Sequence, residues 1–348
     1  MTRIRVAIAT PLPTELRHLI TDVDPDVDLL VEDDLLPPMR FPGDHDGDPD
    51  FRRTPQQQAA FDALLARADV LYGIPDTKPK TLGPAIRANP SLRWVHTMAA
   101  GGGGQVKAAG LTDRELSQVV FTTSAGVHGG TLAEFAVFGV LAGAKDLPRL
   151  LALQARREWP QRWAMKQVSE QTVLVVGLGG IGAETARLLK GLGATVLGVK
   201  RTAEPVPFVD EVHGIAALPE LAARADAIVV TLPGTDATTN LIGAAVLQAA
   251  KPGIVVVNVG RGTVIDEPAL IDALRSGQVS SAYLDVFATE PLPTDSPLWS
   301  MPTVVIAPHT AALNSAEDRR IAELFADNLR RFLDDRPLLN VMDTKDFY

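Results

Sequence analysis

Apolar and polar positions follow a repeating order along the chain: a short β-branched run, an amphipathic stretch, then another run. Residues 3–10, 68–74, 92–98 and 119–123 read as short strands, with helical stretches at 15–20 and 81–89 between them. Such alternation predicts a parallel sheet whose crossovers are helices. Residues 32–58 break the pattern with five prolines (Pro37, Pro38, Pro42, Pro49, Pro55), two glycines and many aspartates. That composition reads as an irregular surface insertion.

A long apolar helix is predicted over 131–146 and a polar connector over 159–170. A cleaner alternation follows. Strands are predicted at 172–176, 195–200, 227–232, 254–259, 281–286 and 303–307, and helices at 181–192, 217–225, 244–250 and 267–276. Gly191, Gly193, Gly253 and Gly277 stand where helix C-caps belong. Six strands with intervening helices make a complete doubly wound domain. A last amphipathic helix is expected over 315–333, with Ser315 and Asp318 spaced as a capping box. It follows the sixth strand, so it should cross back to the first domain. The expected organisation is one domain at 123–312 inserted into another made of 1–122 and 313–348.

Composition narrows the function classes. The 348 residues are 46% hydrophobic and 22% charged, enough core for about two domains. Lys plus Arg number 33 against 42 Asp plus Glu, a net charge of −9. That balance lacks the cationic surface expected for nucleic acid or an anionic membrane. No cysteine is present, so disulfides, thiolate metal sites and a Cys nucleophile are excluded. The longest apolar run, 135–144, is about half a membrane span. The reading is a cytoplasmic protein without metal, membrane or nucleic-acid partner.

The string Gly177-Leu178-Gly179-Gly180-Ile181-Gly182 matches G-x-G-x-x-G, after a predicted strand and at the opening of a predicted helix. Gly177 permits the tight turn, Gly179 lets backbone amides approach a pyrophosphate, and Gly182 lets helix and strand pack closely. At the end of the next strand an acidic residue would bind the ribose hydroxyls of NAD. Lys200-Arg201-Thr202 stand there instead, with no carboxylate before Glu204. Two cations and a hydroxyl suit a 2′-phosphate, so NADP(H) is favoured and NAD(H) is the alternative.

Three further stretches fall at C-terminal strand ends, where open α/β sheets bind ligands. They are Asn258-Val259-Gly260-Arg261-Gly262, Leu284-Asp285-Val286-Phe287 through Glu290-Pro291, and Pro308-His309-Thr310-Ala311-Ala312. Arginine's fork matches a carboxylate and an adjacent carbonyl oxygen. Histidine transfers a proton near neutral pH, and a carboxylate on its other nitrogen orients it. Singly, each residue fits a structural role; jointly, after a dinucleotide fingerprint, they fit reduction of a 2-oxo acid.

With these motifs and Thr231-Leu232-Pro233, the chain resembles the D-isomer-specific 2-hydroxyacid dehydrogenase family over about residues 92–338. The 29-residue step from Arg261 to Glu290 and the 19-residue step to His309 are typical of its glyoxylate/hydroxypyruvate reductase-like branch. The resemblance implies an α/β protein with a Rossmann dinucleotide domain and a flavodoxin-like substrate domain. It implies catalytic roles for Arg261 (substrate binding), His309 (acid/base) and Glu290 (its partner). Asp285 would bond the nicotinamide carboxamide. Leu232, Pro233, Val259, Gly260, Arg261, His309 and Ala311 would line the cofactor with the glycine-motif residues. Amides near Ala100 and Gly101 would receive the substrate carboxylate, with Arg261 and His309. A homodimer through the nucleotide domains is also implied. Lys200, in place of the family's usual acid, departs from the NAD pattern, and Gly101-Gly102-Gly103-Gly104 is richer in glycine than usual. The alternative function is a dinucleotide-sensing, corepressor-like module without turnover. A formate dehydrogenase-like reading is disfavoured by Glu290, where that branch carries Gln.

Overall fold

A computed structural model describes residues 3–347. The chain divides into two compact units, residues 1–128 with 313–348, and residues 129–312. Residues 123–128, expected with the second domain, group with the first. Thr123 is the last residue of a strand paired with Thr97.

In the first unit the elements run β1 (Ile4–Ile8), α1 (His18–Thr21), β2 (Val27–Leu30), α2 (Pro55–Leu65), β3 (Val70–Tyr72), α3 (Pro79–Ala88), β4 (Trp94–Thr97), α4 (Gly103–Ala108), α5 (Asp113–Gln118) and β5 (Val120–Thr123). The strands pair in parallel in the order β2-β1-β3-β4-β5. This is the flavodoxin-like order. Strand β2 was not evident in the sequence; it is four half-buried residues at the sheet edge amid aspartates. The last residues of the insertion are helical. Thr54 and Gln57 form a capping box and Pro55 opens α2.

The second unit contains α6 (Gly129–Ala144), α7 (Leu147–Arg156), β6 (Thr172–Val176), α8 (Gly180–Gly191), β7 (Thr195–Val199), β8 (Glu211–His213), α9 (Leu218–Arg224), β9 (Ala227–Val230), α10 (Ala244–Ala249), β10 (Ile254–Asn258), α11 (Glu267–Ser276), β11 (Val279–Leu284) and β12 (Val304–Ile306). Its parallel sheet has the order β12-β11-β10-β9-β6-β7-β8. Seven strands stand where six were expected, because β8 is a three-residue edge strand without an apolar run. Chain order reverses between β6 and β9, the switch point at which doubly wound sheets bind ligands. Helix α6 lies close on the sheet. A Cβ on Gly139 would sit 2.7 Å from Val257, and one on Gly143 2.4 Å from Val255. Of the expected cap glycines, Gly277 is a left-handed C-cap, whereas Gly191 is the last helical residue of α8.

Helix α12 (Glu317–Leu333) returns the chain to the first unit. Phe325 stacks on Trp94 at 4.7 Å and meets Tyr72 edge-on at 5.1 Å. All three side chains are fully buried. The expected Ser315–Asp318 box does not form: Ala316 is the N-cap and no side chain caps it. Asp318 is instead buried and accepts a bond from the Gly43 amide at 2.9 Å. Burial beats the local capping preference, since an Asp turned inward must find an interior donor.

Candidate active site

The glycine motif begins where β6 stops. Gly177 has φ +104°, and its carbonyl accepts from the Thr231 hydroxyl at 2.7 Å. A Cβ on Gly182 would lie 1.8 Å from that same carbonyl oxygen, so no side chain fits there. Gly179 is the N-cap of α8, and a Cβ on Gly179 or Gly180 would meet nothing within 4 Å. Open space therefore faces the free amides and positive end of α8, as a pyrophosphate requires. Ile181 lies in the helix's first turn. Leu232 packs beside Gly177, and a Cβ on Gly260 would reach within 2.5 Å of the Leu232 carbonyl oxygen. The Pro233 carbonyl accepts from Thr238.

Lys200, Arg201 and Thr202 follow β7. Arg201 and Thr202 are exposed, and neither Lys200 nor Arg201 has an ion pair among the described residues. The nearby acid on β8, Glu211, is engaged by Arg224 at 2.5 Å and by His213 at 3.0 Å. These bonds hold its carboxyl down to about 2. The end of β7 thus keeps its positive charge, which suits a phosphate.

Strands β10, β11 and β12 are neighbours, and their ends carry the remaining candidates. Beyond β10, the buried Asn258 side chain accepts from the Gly260 amide at 3.0 Å and donates to the Arg261 carbonyl at 3.1 Å. It thereby closes the turn that presents Arg261. The exposed guanidinium of Arg261 donates to the Gly260 carbonyl at 2.8 Å. A Cβ on Gly262 would lie 1.8 Å from the Phe287 carbonyl carbon, so this turn presses on the chain leaving β11. Asn258 and Gly262 contribute to the site by shaping this turn, a role that no chemistry of their own announces in the sequence. The N-x-G-R-G string was their only signal.

Beyond β11, Asp285 is buried, and its Oδ1 accepts from the amides of Thr310 at 2.8 Å and Ala311 at 2.9 Å. Its carbonyl accepts from the His309 amide at 2.9 Å. These bonds hold His309 at φ +52°, a left-handed conformation that non-glycine residues adopt at a cost. Glu290 Oε1 accepts from the Phe287 amide at 3.0 Å, and Glu290 Oε2 lies 2.6 Å from His309 Nδ1. Both side chains are part-exposed, 47% for His309 and 34% for Glu290. An imidazole fixed at Nδ1 on a carboxylate, with Nε2 free, can exchange a proton with a reactant.

Ala100 and Gly101 belong to the first unit, on the turn after β4. Neither amide donates a hydrogen bond among the described residues. The glycine run there has packing causes. A Cβ on Gly102 would sit 2.0 Å from Thr97, and one on Gly103 would sit 1.9 Å from the Phe347 carbonyl oxygen.

Residues 137–311 match the family model for the NAD binding domain of D-isomer specific 2-hydroxyacid dehydrogenases. The chain belongs to this family. A glyoxylate reductase of Korarchaeum cryptofilum is 34% identical over 258 residues, covering 71% of this chain and 75% of that one. A D-3-phosphoglycerate dehydrogenase of Mycobacterium tuberculosis is 36% identical over 213 residues, 61% of this chain but only 40% of that longer protein. The crystal structure of a D-isomer specific 2-hydroxyacid dehydrogenase from Xanthobacter autotrophicus Py2, in complex with NADPH and MES, matches over 100% of both chains. Its TM-score is 0.78 at 29% identity. This member of the dehydrogenase family is an NAD(P)-dependent oxidoreductase acting on CH–OH groups, with small 2-hydroxy and 2-oxo acids as substrates. Among the described residues no helix is long and apolar enough to cross a membrane. No group of three or more His, Asp or Glu among them is placed to hold a metal ion.

Proposed function

We propose that this dehydrogenase reduces a small 2-oxo acid with NADPH, using His309 as acid/base, Glu290 as its partner and Arg261 to bind substrate. The observation that carries the reading is the 2.6 Å contact between Glu290 and His309 Nδ1, which leaves Nε2 for the reactant. The nicotinamide nucleotide, when bound, is the hydride source for reduction and the acceptor for oxidation. His309 gives its Nε2 proton to the carbonyl oxygen as negative charge develops there, and Glu290 stabilises the imidazolium before transfer. Arg261 pairs with the carboxylate and polarises the carbonyl, stabilising the transition state more than bound substrate. The amides of Ala100 and Gly101 receive the carboxylate. Asp285 bonds the nicotinamide carboxamide through the carboxylate oxygen that Thr310 and Ala311 leave free. Lys200, Arg201 and Thr202 hold the 2′-phosphate.

The deciding experiment is a panel of glyoxylate, hydroxypyruvate and phenylpyruvate with NADPH and with NADH, run on the wild type and His309→Ala. We expect turnover favouring NADPH, and loss of kcat in the variant with NADPH binding retained. Cofactor binding without turnover of any oxo acid would favour the corepressor-like alternative.

We further infer a homodimer in the cytoplasm, where reduced nicotinamide nucleotides circulate. The second unit exposes Phe138 (42%), Leu151 (51%), Trp159 (99%) and Met165 (39%), apolar surface that a partner copy would cover. Light scattering on the purified chain tests the oligomeric state.

A further inference from the structure

The insertion at residues 32–58 has two anchors, both within the first unit. At its middle the Gly43 amide bonds Asp318, and His45 Nε2 lies 3.4 Å from Glu317 Oε1. Towards its C-terminal end stands Arg53. Its side chain is only 6% exposed. The guanidinium lies over the Phe61 ring at 3.8 Å, and Nε donates to the Leu35 carbonyl at 2.6 Å. The two remaining nitrogens grip Asp76 in a fork, at 2.8 and 3.1 Å. A fork held by ring, carbonyl and carboxylate fixes orientation as well as distance.

What it grips is strained. Asp76 and Thr77 follow one another at φ +54° and +52°. Two successive non-glycine residues in the left-handed region persist only where the surroundings over-determine them, and such strain clusters at functional sites. The insertion supplies most of the side-chain part of those surroundings, since the Thr77 hydroxyl also bonds Asp46; the Asp76 amide donates to the Ala9 carbonyl at 3.3 Å. On the far side of this turn the Thr77 carbonyl accepts from the Gln105 side chain at 3.0 Å. Gln105 lies in the first turn of α4, directly after Gly101-Gly102-Gly103-Gly104. Gly101 and Gly102 form the turn before α4, and Gly103 and Gly104 open that helix. A shift of the first turn of α4, where Gln105 stands, therefore carries the turn with it, and glycine offers little resistance to such a shift.

We propose that Arg53 and Asp76 are a positioning pair through which the insertion sets the turn at 100–102 that leads into α4, and so the choice of 2-oxo acid. The path runs from Arg53 to Asp76, through the strained turn to the Thr77 carbonyl, and through Gln105 to the turn at 100–102. It rests on the reading that the amides of Ala100 and Gly101 receive the carboxylate. Where those amides stand decides where the substrate's third carbon and its substituents must go.

The test uses the full chain with saturating NADPH, measuring kcat and KM for glyoxylate and phenylpyruvate, NADPH dissociation by fluorescence, and thermal unfolding. Arg53→Met keeps the stem against Phe61 and removes the fork. Asp76→Asn keeps the shape and removes the charge, and serves if Arg53→Met does not fold. Either variant should raise KM about tenfold for at least one oxo acid, the scale of one lost charge-assisted pair, and change the ratio between the two acids. It should leave kcat and NADPH dissociation within about twofold, since neither side chain belongs to the acid/base pair or to the nucleotide site. Arg53→Lys should be intermediate. Combining Arg53→Met with Gln105→Leu should raise KM no further than the larger single effect, because both cut one path. A lowered Tm with unchanged KM values in both latch variants, Arg53→Met and Asp76→Asn, would mean a merely structural role and would overturn the proposal, as would additive effects in the double variant. Gly101→Pro, which removes one amide donor, tests the underlying reading separately. If it leaves KM unchanged, that reading falls and the proposal with it. If it raises KM while the latch variants do not, the proposal alone falls.

Discussion

Glu290 Oε2 stands 2.6 Å from His309 Nδ1, and the same Glu290 takes the Phe287 amide on its other oxygen. The carboxylate is thus oriented before it orients the imidazole. Replacing Glu290 with Gln keeps a hydrogen-bonding side chain but removes the negative charge beside Nδ1 of the acid/base. Glu290→Gln should therefore lower kcat for reduction by roughly tenfold or more, with NADPH affinity retained. Steady-state kinetics and NADPH binding on both proteins check this, and an unchanged kcat would remove Glu290 from its role.

Arg201 has no ion pair among the described residues, so its charge is available to a ligand. Arg201→Ser should weaken NADPH by about 1.5–3 kcal/mol, roughly ten- to a hundredfold, and NADH by much less. Dissociation constants for both nucleotides, measured on both proteins, decide it. A wild type that prefers NADH at equal concentration would overturn the assignment.

Gly182 faces the carbonyl oxygen of Gly177 at a distance that leaves no room for a methyl group. Gly182→Ala must push α8 away from the end of β6, at a cost of roughly 1–3 kcal/mol or more. The same displacement spoils the amides aimed at the pyrophosphate. We expect a lower Tm together with weakened binding of both NADPH and NADH. Nucleotide affinity at wild-type level would show that the helix end does not bind the phosphates.

In the first unit, Glu317 is buried and its Oε1 lies 3.0 Å from His128 Nε2. Burial alone pushes its carboxyl up, but the bond to His128 and the closeness of His45 more than offset this, holding it down to about 2 from the ordinary 4.5. Its neighbour Asp318 is pushed up by burial. A depressed folded value means that the stability from Glu317 is fully present above pH 4.5 and is lost as pH falls from 4.5 through about 2. Glu317→Gln should therefore be less stable than wild type at pH 7, by roughly 1–3 kcal/mol. The gap should close on acidification over that window. Urea unfolding at a series of pH values tests it; a gap constant from pH 7 to 2 would exclude the linkage.

The alternation of apolar runs was enough to read most of the strand-and-helix order. The glycine motif and the motifs at the later strand ends were enough to read the family and its oxidoreductase class. These features are local: a turn that needs glycine, or a helix end that attracts an anion, is written in a few adjacent residues. What depends on distant neighbours was decided elsewhere. β2 and β8 exist because an adjacent strand offers unpaired backbone groups, not because their own residues favour strand. Asp318 left its capping position because Gly43, 275 residues away in sequence, supplies a buried donor. Asn258 has a role only because the turn folds back over it. Residues 32–58 read as an irregular surface insertion, yet they hold a buried arginine fork and one side of a buried carboxylate cluster. Composition records the prolines that prevent regular structure there; burial and pairing arise only once the chain has closed around them.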